Sequence, residues 1–285
     1  MGYSPRRIRP LADLLNVIGY LIKAWSLEQG AKRENARRFV IYQLLVIAGG
    51  FKLCRRRAPK TQRRMYVKIC EIRRQEDAFL AAELRADAIG LLVGQRHNSP
   101  DFISATVAMD IARALPASVE AVLVTHVEDV DDLERLLQLS EIRTVQLHSE
   151  IAPSSVERLR GRLPYLKIFK SINIISADSV AYPEAFEQLV DGFVLDSVNV
   201  ATDQVGGTGK THDWPVSRQI VMRYPEIPII LAGGLNSENV RSAIECVRPF
   251  GVDVNSGTKA SDGFKDPRKM EAFIVQAKRF AKPQT

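Results

Sequence analysis

From Met65 onward, short apolar runs rich in Val, Ile and Leu alternate with longer segments whose apolar residues recur at helical spacing. Several of the runs end in glycines or polar residues, as strands do where they meet a turn. Strands that alternate with helices pair in parallel, because each helix carries the chain back to the edge from which the next strand starts. This alternation constrains the fold more than any other feature of the sequence.

The pattern predicts eight strands and eight helices. The strands are expected at residues 66–70, 86–94, 119–125, 144–148, 165–171, 191–197, 228–234 and 251–257. The helices are expected at residues 75–85, 103–115, 130–139, 154–162, 179–189, 216–224, 237–247 and 267–280. Eight such units indicate a (β/α)8 barrel over residues 65–285. An open doubly wound sheet is the alternative, and it is disfavoured because no Gly-x-Gly-x-x-Gly motif follows the first strand.

The first 64 residues differ from the rest in charge. They carry 15 Lys and Arg side chains against three acidic ones, whereas the whole chain has 40 against 33, so the remainder is acidic. The basic character of the chain therefore belongs to this extension, and the barrel is not expected to bind nucleic acid.

Three interpretations of residues 1–64 remain open. The Arg-rich, acid-poor composition fits a transit peptide, and a basic arm for nucleic acid or a membrane is a second possibility. The apolar run at residues 39–51 is too short to span a bilayer comfortably, so no membrane partner is expected. The favoured interpretation is that translation begins at Met65, where a well-formed strand starts abruptly.

The three cysteines, Cys54, Cys70 and Cys246, are odd in number and widely spaced. They form neither a disulfide framework nor a metal-ligand motif. A reducing, cytoplasmic setting without a metal is therefore expected.

Catalytic residues of a (β/α)8 barrel lie where its strands end. The strand ends before the glycine loops carry the thiol of Cys70, the loop at residues 95–97, the imidazoles of His126 and His148, the hydroxyl of Ser171 and the carboxylate of Asp196. The sequence thus places a thiol and a carboxylate at one rim of the barrel.

Glycines follow the last two predicted strands. Gly233 and Gly234 end the seventh, and Ser256 and Gly257 end the eighth. Backbone N–H groups in such loops, with the N-terminus of the next helix, commonly bind a phosphate. These residues therefore predict a phosphate site at the same rim.

Several separate motifs carry a resemblance that covers essentially all of residues 65–280 and none of the extension. They are KICEIRRQEDAFLAAELRADAIG, VQLH, GGTGKTHDW, ILAGGLNSENV and RPFGVDVNSG followed by KDPRKMEAFI. Together they resemble the phosphoribosylanthranilate isomerases of tryptophan biosynthesis. The resemblance implies a (β/α)8 barrel that catalyses an Amadori rearrangement of a phosphoribosyl amine without cofactor or metal, as a monomer or homodimer.

The resemblance also implies roles for particular residues. Cys70, in the KIC motif, is the expected general base, and Asp196 is the expected general acid. Asp253 is expected to orient the ribose or to hold the phosphate loop in place, and a purely structural role is the alternative. His126 and His148 are expected to lie outside the chemistry. A thiol can act as a base only if its pKa falls enough for thiolate to form near neutrality.

Three positions depart from the family pattern. Glu71 replaces the glycine of KICG, Asp101 stands where the family has an arginine that helps with the anthranilate part, and Lys259 stands at an acidic position. Arg96 is one candidate for the missing contact with the aromatic carboxylate. The open alternatives are a relative that isomerises a phosphoribosyl amine with another aglycone, and a barrel that binds sugar phosphates without catalysis.

Overall fold

The computed structural model describes residues 64–95, 101–199, 204–205 and 211–279. The chain divides into two compact units, Met1–Pro59 and Lys60–Thr285, and every described residue lies in the second unit. The eight long strands are β1 (Tyr66–Ile69), β2 (Ala88–Leu92), β3 (Glu120–Thr125), β4 (Thr144–Leu147), β5 (Lys167–Ile174), β6 (Gly192–Asn199), β7 (Ile229–Leu231) and β8 (Gly251–Val254).

The strands close into a barrel, which confirms the predicted fold class. Seven parallel pairings join them in the order β5-β4-β3-β2-β1-β8-β7-β6, and an eighth, between β5 and β6, closes the sheet. The two-residue strand Gln204–Val205 pairs antiparallel with the end of β6. Since all eight long strands are parallel, their carboxyl ends form a single rim.

Seven α-helices surround the barrel within the described residues. They are α1 (Gln75–Glu83), α2 (Ala105–Ala114), α3 (Val130–Ser140), α4 (Pro153–Arg162), α5 (Trp214–Arg223), α6 (Val240–Val247) and α7 (Pro267–Arg279). The prediction of a helix at residues 179–189 is wrong, because the chain forms two 3₁₀ turns in this region, Ala177–Val180 and Tyr182–Ala185. Pro183 explains the difference, since a proline inside a helix lacks an N–H and collides with the preceding turn.

Apolar side chains fill both faces of the strands. The main core packs the outward-facing residues of the strands against the helices, and it includes Val67, Leu123 and Leu195. The intervening residues face the barrel interior and form smaller clusters, such as that of Val122 and Val124. Side chains therefore fill the barrel interior, and the polar groups at its rim lie above a packed apolar layer.

No helix among the described residues is both long enough and apolar enough to cross a bilayer.

Candidate active site at the carboxyl rim of the barrel

Cys70 is the first residue after β1, and its thiol is buried in the barrel interior. Its backbone N–H donates a 2.8 Å hydrogen bond to the carbonyl of Val254, which holds it against β8. A Cβ on Gly90 would lie only 2.7 Å from Cys70 Sγ. Glycine at this position of β2 therefore leaves the space that the thiol occupies.

Lys68 and Asp253 form a buried ion pair beside this thiol. Lys68 Nζ lies 2.6 Å from Asp253 Oδ2 and donates a 2.8 Å hydrogen bond to Gln146 Oε1. Burial opposes the charge on Lys68, but Asp253 and Cys70 outweigh it and raise the pKa of the ammonium. Lys68 therefore places a fixed positive charge close to the thiol.

A chain of hydrogen bonds continues from Gln146 across the barrel towards Asp196. Gln146 Nε2 donates to Ser171 Oγ at 3.0 Å, and Ser171 Oγ lies 2.8 Å from His148 Nδ1. His148 Nε2 lies 3.9 Å from Asp196 Oδ2, and the ring of His148 stacks on that of His126 at 5.3 Å. The predicted base and acid are thus joined by one polar network, in which His148 neighbours the acid.

Asp196, in β6, is the carboxylic acid of this network. Burial raises its pKa to about 7, with a further rise from Asp253, while the N–H of Ser197 and the charge of Lys68 act in the opposite direction. Ser197 N donates to Asp196 Oδ1 at 2.7 Å. A carboxyl group with such a pKa holds a proton near neutral pH and can donate it.

The pKa of Cys70 does not meet the condition stated above for a thiol base, which is a lowered pKa. Burial raises the pKa of its thiol to about 12, although Lys68 and Lys265 oppose this effect. The thiol therefore keeps its proton at neutral pH in this structure. A thiolate at Cys70 requires additional positive charge beside it.

Asp253 has an unused acceptor. It is buried in β8, and among the described residues its Oδ1 has no hydrogen-bond partner, while Oδ2 is held by Lys68. A buried carboxylate oxygen without a partner costs free energy, so a donor from outside the chain would be favourable there. A hydroxyl group of a sugar is a donor of this kind.

The predicted phosphate loops occupy the same rim. Gly233 and Gly234 have φ values of 78° and 63°, in the left-handed region that glycine tolerates. Helix α6 begins at Val240 rather than at the expected residue 237, because the Asn236 side chain accepts hydrogen bonds from the N–H groups of residues 238 and 239. Asn239 Nδ2 in turn donates to the carbonyl of Gly234 at 2.9 Å, which fixes the loop.

Ser256 and Gly257 lie opposite this loop, in the 3₁₀ turn Ser256–Thr258. A Cβ on Gly257 would lie 2.1 Å from the carbonyl oxygen of Leu235, so only glycine lets the two loops approach so closely. The structure thus brings together all four residues of the predicted phosphate site.

The three positions that depart from the family pattern also come together. Lys259 Nζ forms ion pairs with Glu71 Oε1 and, at 3.1 Å, with Asp101 Oδ2. Glu71 has a φ of 62°, and its Oε2 accepts a hydrogen bond from Asn255. Arg96, the residue suggested for the contact with the aromatic carboxylate, lies outside the described residues.

The residues that carry the charge network were not all predicted. Gln146 was missed as part of the site, and only strand alternation could have indicated it, since it lies two residues before His148 and residues two apart face the same side. Within the described residues, no group of His, Cys, Asp or Glu side chains is arranged to hold a metal ion.

The whole arrangement is that of a (β/α)8-barrel protein in which the buried Cys70 thiol, the buried Asp196 carboxyl and the predicted phosphate loops lie on one rim. The family model described as N-(5'phosphoribosyl)anthranilate (PRA) isomerase matches residues 67–276. The chain belongs to this family.

Curated relatives match this chain over nearly their whole lengths. N-(5'-phosphoribosyl)anthranilate isomerase 2 of Methanosarcina mazei is 45% identical over 75% of this chain and 94% of its own. The isomerase of Methanocella arvoryzae is 36% identical over 74% of this chain and 97% of its own.

Solved structures of isomerases are also similar to this chain. The phosphoribosyl anthranilate isomerase of Thermotoga maritima is similar with a TM-score of 0.67 and 33% identity, covering 75% of this chain and 99% of that one. A phosphoribosyl anthranilate isomerase in complex with reduced 1-(o-carboxyphenylamino)-1-deoxyribulose 5-phosphate gives a TM-score of 0.63 and 30% identity, with coverages of 75% and 99%.

Proposed function

We propose that the chain isomerises N-(5'-phosphoribosyl)anthranilate to 1-(2-carboxyphenylamino)-1-deoxyribulose 5-phosphate in tryptophan biosynthesis. The observation that carries the mechanism is the placement of two buried groups on one rim, the Asp196 carboxyl beside His148 and the Cys70 thiol beside Lys68. Burial also raises the pKa of Asp196 to about 7. An aldose–ketose rearrangement requires such an acid and a base on the two sides of one sugar.

Asp196 is the general acid of the first step. Its proton passes to the ring oxygen of the ribose, the bond between that oxygen and C1 breaks, and the amine nitrogen supplies the electron pair that forms a cationic Schiff base. Because the pKa of Asp196 is near neutrality, its protonated form is well populated at the pH where the reaction runs.

Cys70 is the general base of the second step, in which it takes the C2 proton and leaves an enolamine that tautomerises to the ketose. The raised pKa of the thiol is compatible with this role, because the cationic Schiff base supplies positive charge beside it and also makes the C2 proton more acidic. Lys68 and Lys265 add to this positive charge and favour the thiolate.

The remaining predicted residues hold the substrate. The loops with Gly233 and Gly234 and with Ser256 and Gly257 receive the phosphate, since their backbones approach closely enough to offer N–H donors. Asp253 orients the ribose through its buried Oδ1, which accepts a hydrogen bond from a sugar hydroxyl.

Assembly and location follow from the same proposal. The T. maritima isomerase is dimeric, and one of its solved structures is of monomers generated from that dimer. We therefore propose that this chain works as a monomer or a homodimer. A thiol base also suits a reducing compartment, so a cytoplasmic location is part of the proposal.

Growth of a tryptophan auxotroph that lacks this isomerase tests the proposed function. The wild-type chain should restore growth without tryptophan, whereas Asp196→Asn should not. If the wild-type chain did not restore growth without tryptophan although the protein was present in the cells, the proposed substrate would be contradicted.

A further inference from the structure

Four charged residues, Glu71, Arg73, Asp101 and Lys259, form what we call the rim ion cluster. Each oxygen of the Asp101 carboxylate faces a cation: Oδ2 lies 3.1 Å from Lys259 Nζ, and Oδ1 lies 3.7 Å from Arg73 Nη1. The cluster therefore contains a site that binds a carboxylate between two cations, and Asp101 fills it.

The two cations of this site are fixed by other contacts. Lys259 is paired with Glu71, whose side chain is 2% exposed. Arg73 donates a 2.6 Å hydrogen bond to the carbonyl of Gly263, and its guanidinium lies 4.3 Å from the ring centre of Phe264. Each cation thus keeps a contact of its own if Asp101 moves away, Lys259 with Glu71 and Arg73 with Gly263 and Phe264.

Asp101 is the most exposed member of the cluster, with 27% of its side chain exposed. It follows β2 in the chain, whereas Glu71 and Arg73 follow β1 and Lys259 follows β8. The cluster therefore joins three rim segments next to the thiol, since Glu71 is the residue directly after Cys70.

We propose that the Asp101 carboxylate occupies the subsite for the aromatic carboxylate of the substrate, and that the substrate displaces it from Lys259 and Arg73. The inference rests on the proposed function. In the substrate the aromatic amine is bonded to C1, the neighbour of the carbon that faces Cys70. The aromatic ring and its carboxylate therefore lie beside the segment that carries Glu71.

The exchange of one carboxylate for another keeps the charge of the cluster balanced. An aglycone without a carboxylate would instead leave Asp101 in place, or leave the cluster with the two cations Lys259 and Arg73 against the single carboxylate of Glu71. Competition with Asp101 also lowers the apparent affinity for the substrate, because part of the binding free energy is spent on displacing it. Lys259 and Arg73 are thus specificity-determining residues, and Asp101 moderates affinity.

A matched pair of ligands tests this inference by calorimetry. One ligand is reduced 1-(o-carboxyphenylamino)-1-deoxyribulose 5-phosphate, and the other is the same molecule without its carboxyl group. The ratio of their dissociation constants measures the preference for the carboxylate. Wild type should prefer the carboxylated ligand by about tenfold, the scale of one charge-assisted hydrogen bond.

The variants should move this ratio in opposite directions. Lys259→Met should bring it close to one, Lys259→Arg should keep it, and Asp101→Asn should increase it by roughly three- to tenfold because the competing charge is gone. Arg113→Met and Glu141→Gln are matched controls, because these residues form an exposed ion pair on the helix side, and they should leave the ratio unchanged.

The outcomes separate the inference from the proposed function. If wild type binds neither ligand, the proposed function fails. If it binds both without preference, or if Asp101→Asn leaves the ratio unchanged or lowers it, the function stands and the carboxylate subsite is overturned. Thermal unfolding of each variant shows that the comparison is between folded proteins.

Discussion

Lys68 Nζ lies 2.6 Å from Asp253 Oδ2 inside the barrel, and both side chains are almost fully buried. This ion pair joins β1 to β8, the first and last strands of the closed sheet, two residues before the thiol of Cys70. It therefore links closure of the barrel to the electrostatics of its active site.

Breaking this ion pair should destabilise the fold. Lys68→Met leaves the Asp253 charge buried without its partner and should lower the free energy of unfolding by about 3–5 kcal/mol. The double variant Lys68→Met/Asp253→Asn should recover most of that loss, because no uncompensated charge remains. Denaturant unfolding of the two single variants and the double variant measures the effect, and strictly additive losses would contradict the account.

The raised pKa of Cys70 predicts slow alkylation of its thiol. Cys246 is an exposed free thiol, so it serves as an internal comparison. At pH 7.5 iodoacetamide should modify Cys246 at least about ten times faster than Cys70, because Cys246 is exposed to the reagent whereas Cys70 is buried and keeps its proton. Peptide mass spectrometry over time gives both rates, and faster modification of Cys70 would contradict the raised pKa.

The raised pKa of Asp196 predicts a pH-dependent effect on stability. A carboxyl group with a folded-state pKa above its unfolded value stabilises the fold at low pH, and this contribution is lost as the pH rises to about 7. Asp196→Asn should therefore increase the free energy of unfolding, by roughly 2–3 kcal/mol more at pH 8 than at pH 5. An equal effect at the two pH values would show that the pKa of Asp196 is not raised.

Residues 1–64 are expected to be dispensable for the barrel. The described strands all lie after residue 65, and relatives that match only about three quarters of this chain are covered nearly completely. A variant that starts at Met65 should unfold cooperatively within a few degrees of the full chain and keep its turnover. An unfolded or inactive shortened protein would mean that the extension belongs to the domain.

Local patterns predicted much of the fold. Strand β1 was expected at residues 66–70 and occupies Tyr66–Ile69, because its alternation and apolar content are decided within the segment itself. The helix expected at residues 179–189 does not form, because Pro183 disfavours a helix there although the apolar residues have helical spacing. Helix α6 starts late because the side chain of Asn236, rather than helical spacing, decides its first turn.

The site was predictable only in part. Cys70 and Asp196 could be placed at the rim from the ends of their strands, but their pKa values depend on burial and on contacts across the barrel. The contact between Gln146 and Ser171 depends on how β4 and β5 are paired, which no single segment encodes. Likewise, Lys259 and Asp101 are 158 residues apart in the sequence, so their contact could not be predicted from their opposite charges alone.

Cys70 and Asp196 are proposed to be the base and the acid of one isomerisation. Steady-state turnover of purified wild type, Cys70→Ser and Asp196→Asn on N-(5'-phosphoribosyl)anthranilate tests these two roles. Each variant should lose roughly two to four orders of magnitude in kcat with a much smaller change in KM, because serine is too weak an acid to provide the base and asparagine has no proton to donate. Wild-type kcat should fall as the pH rises through about 7, where Asp196 loses its proton. Near-full turnover by either variant would contradict the assignment.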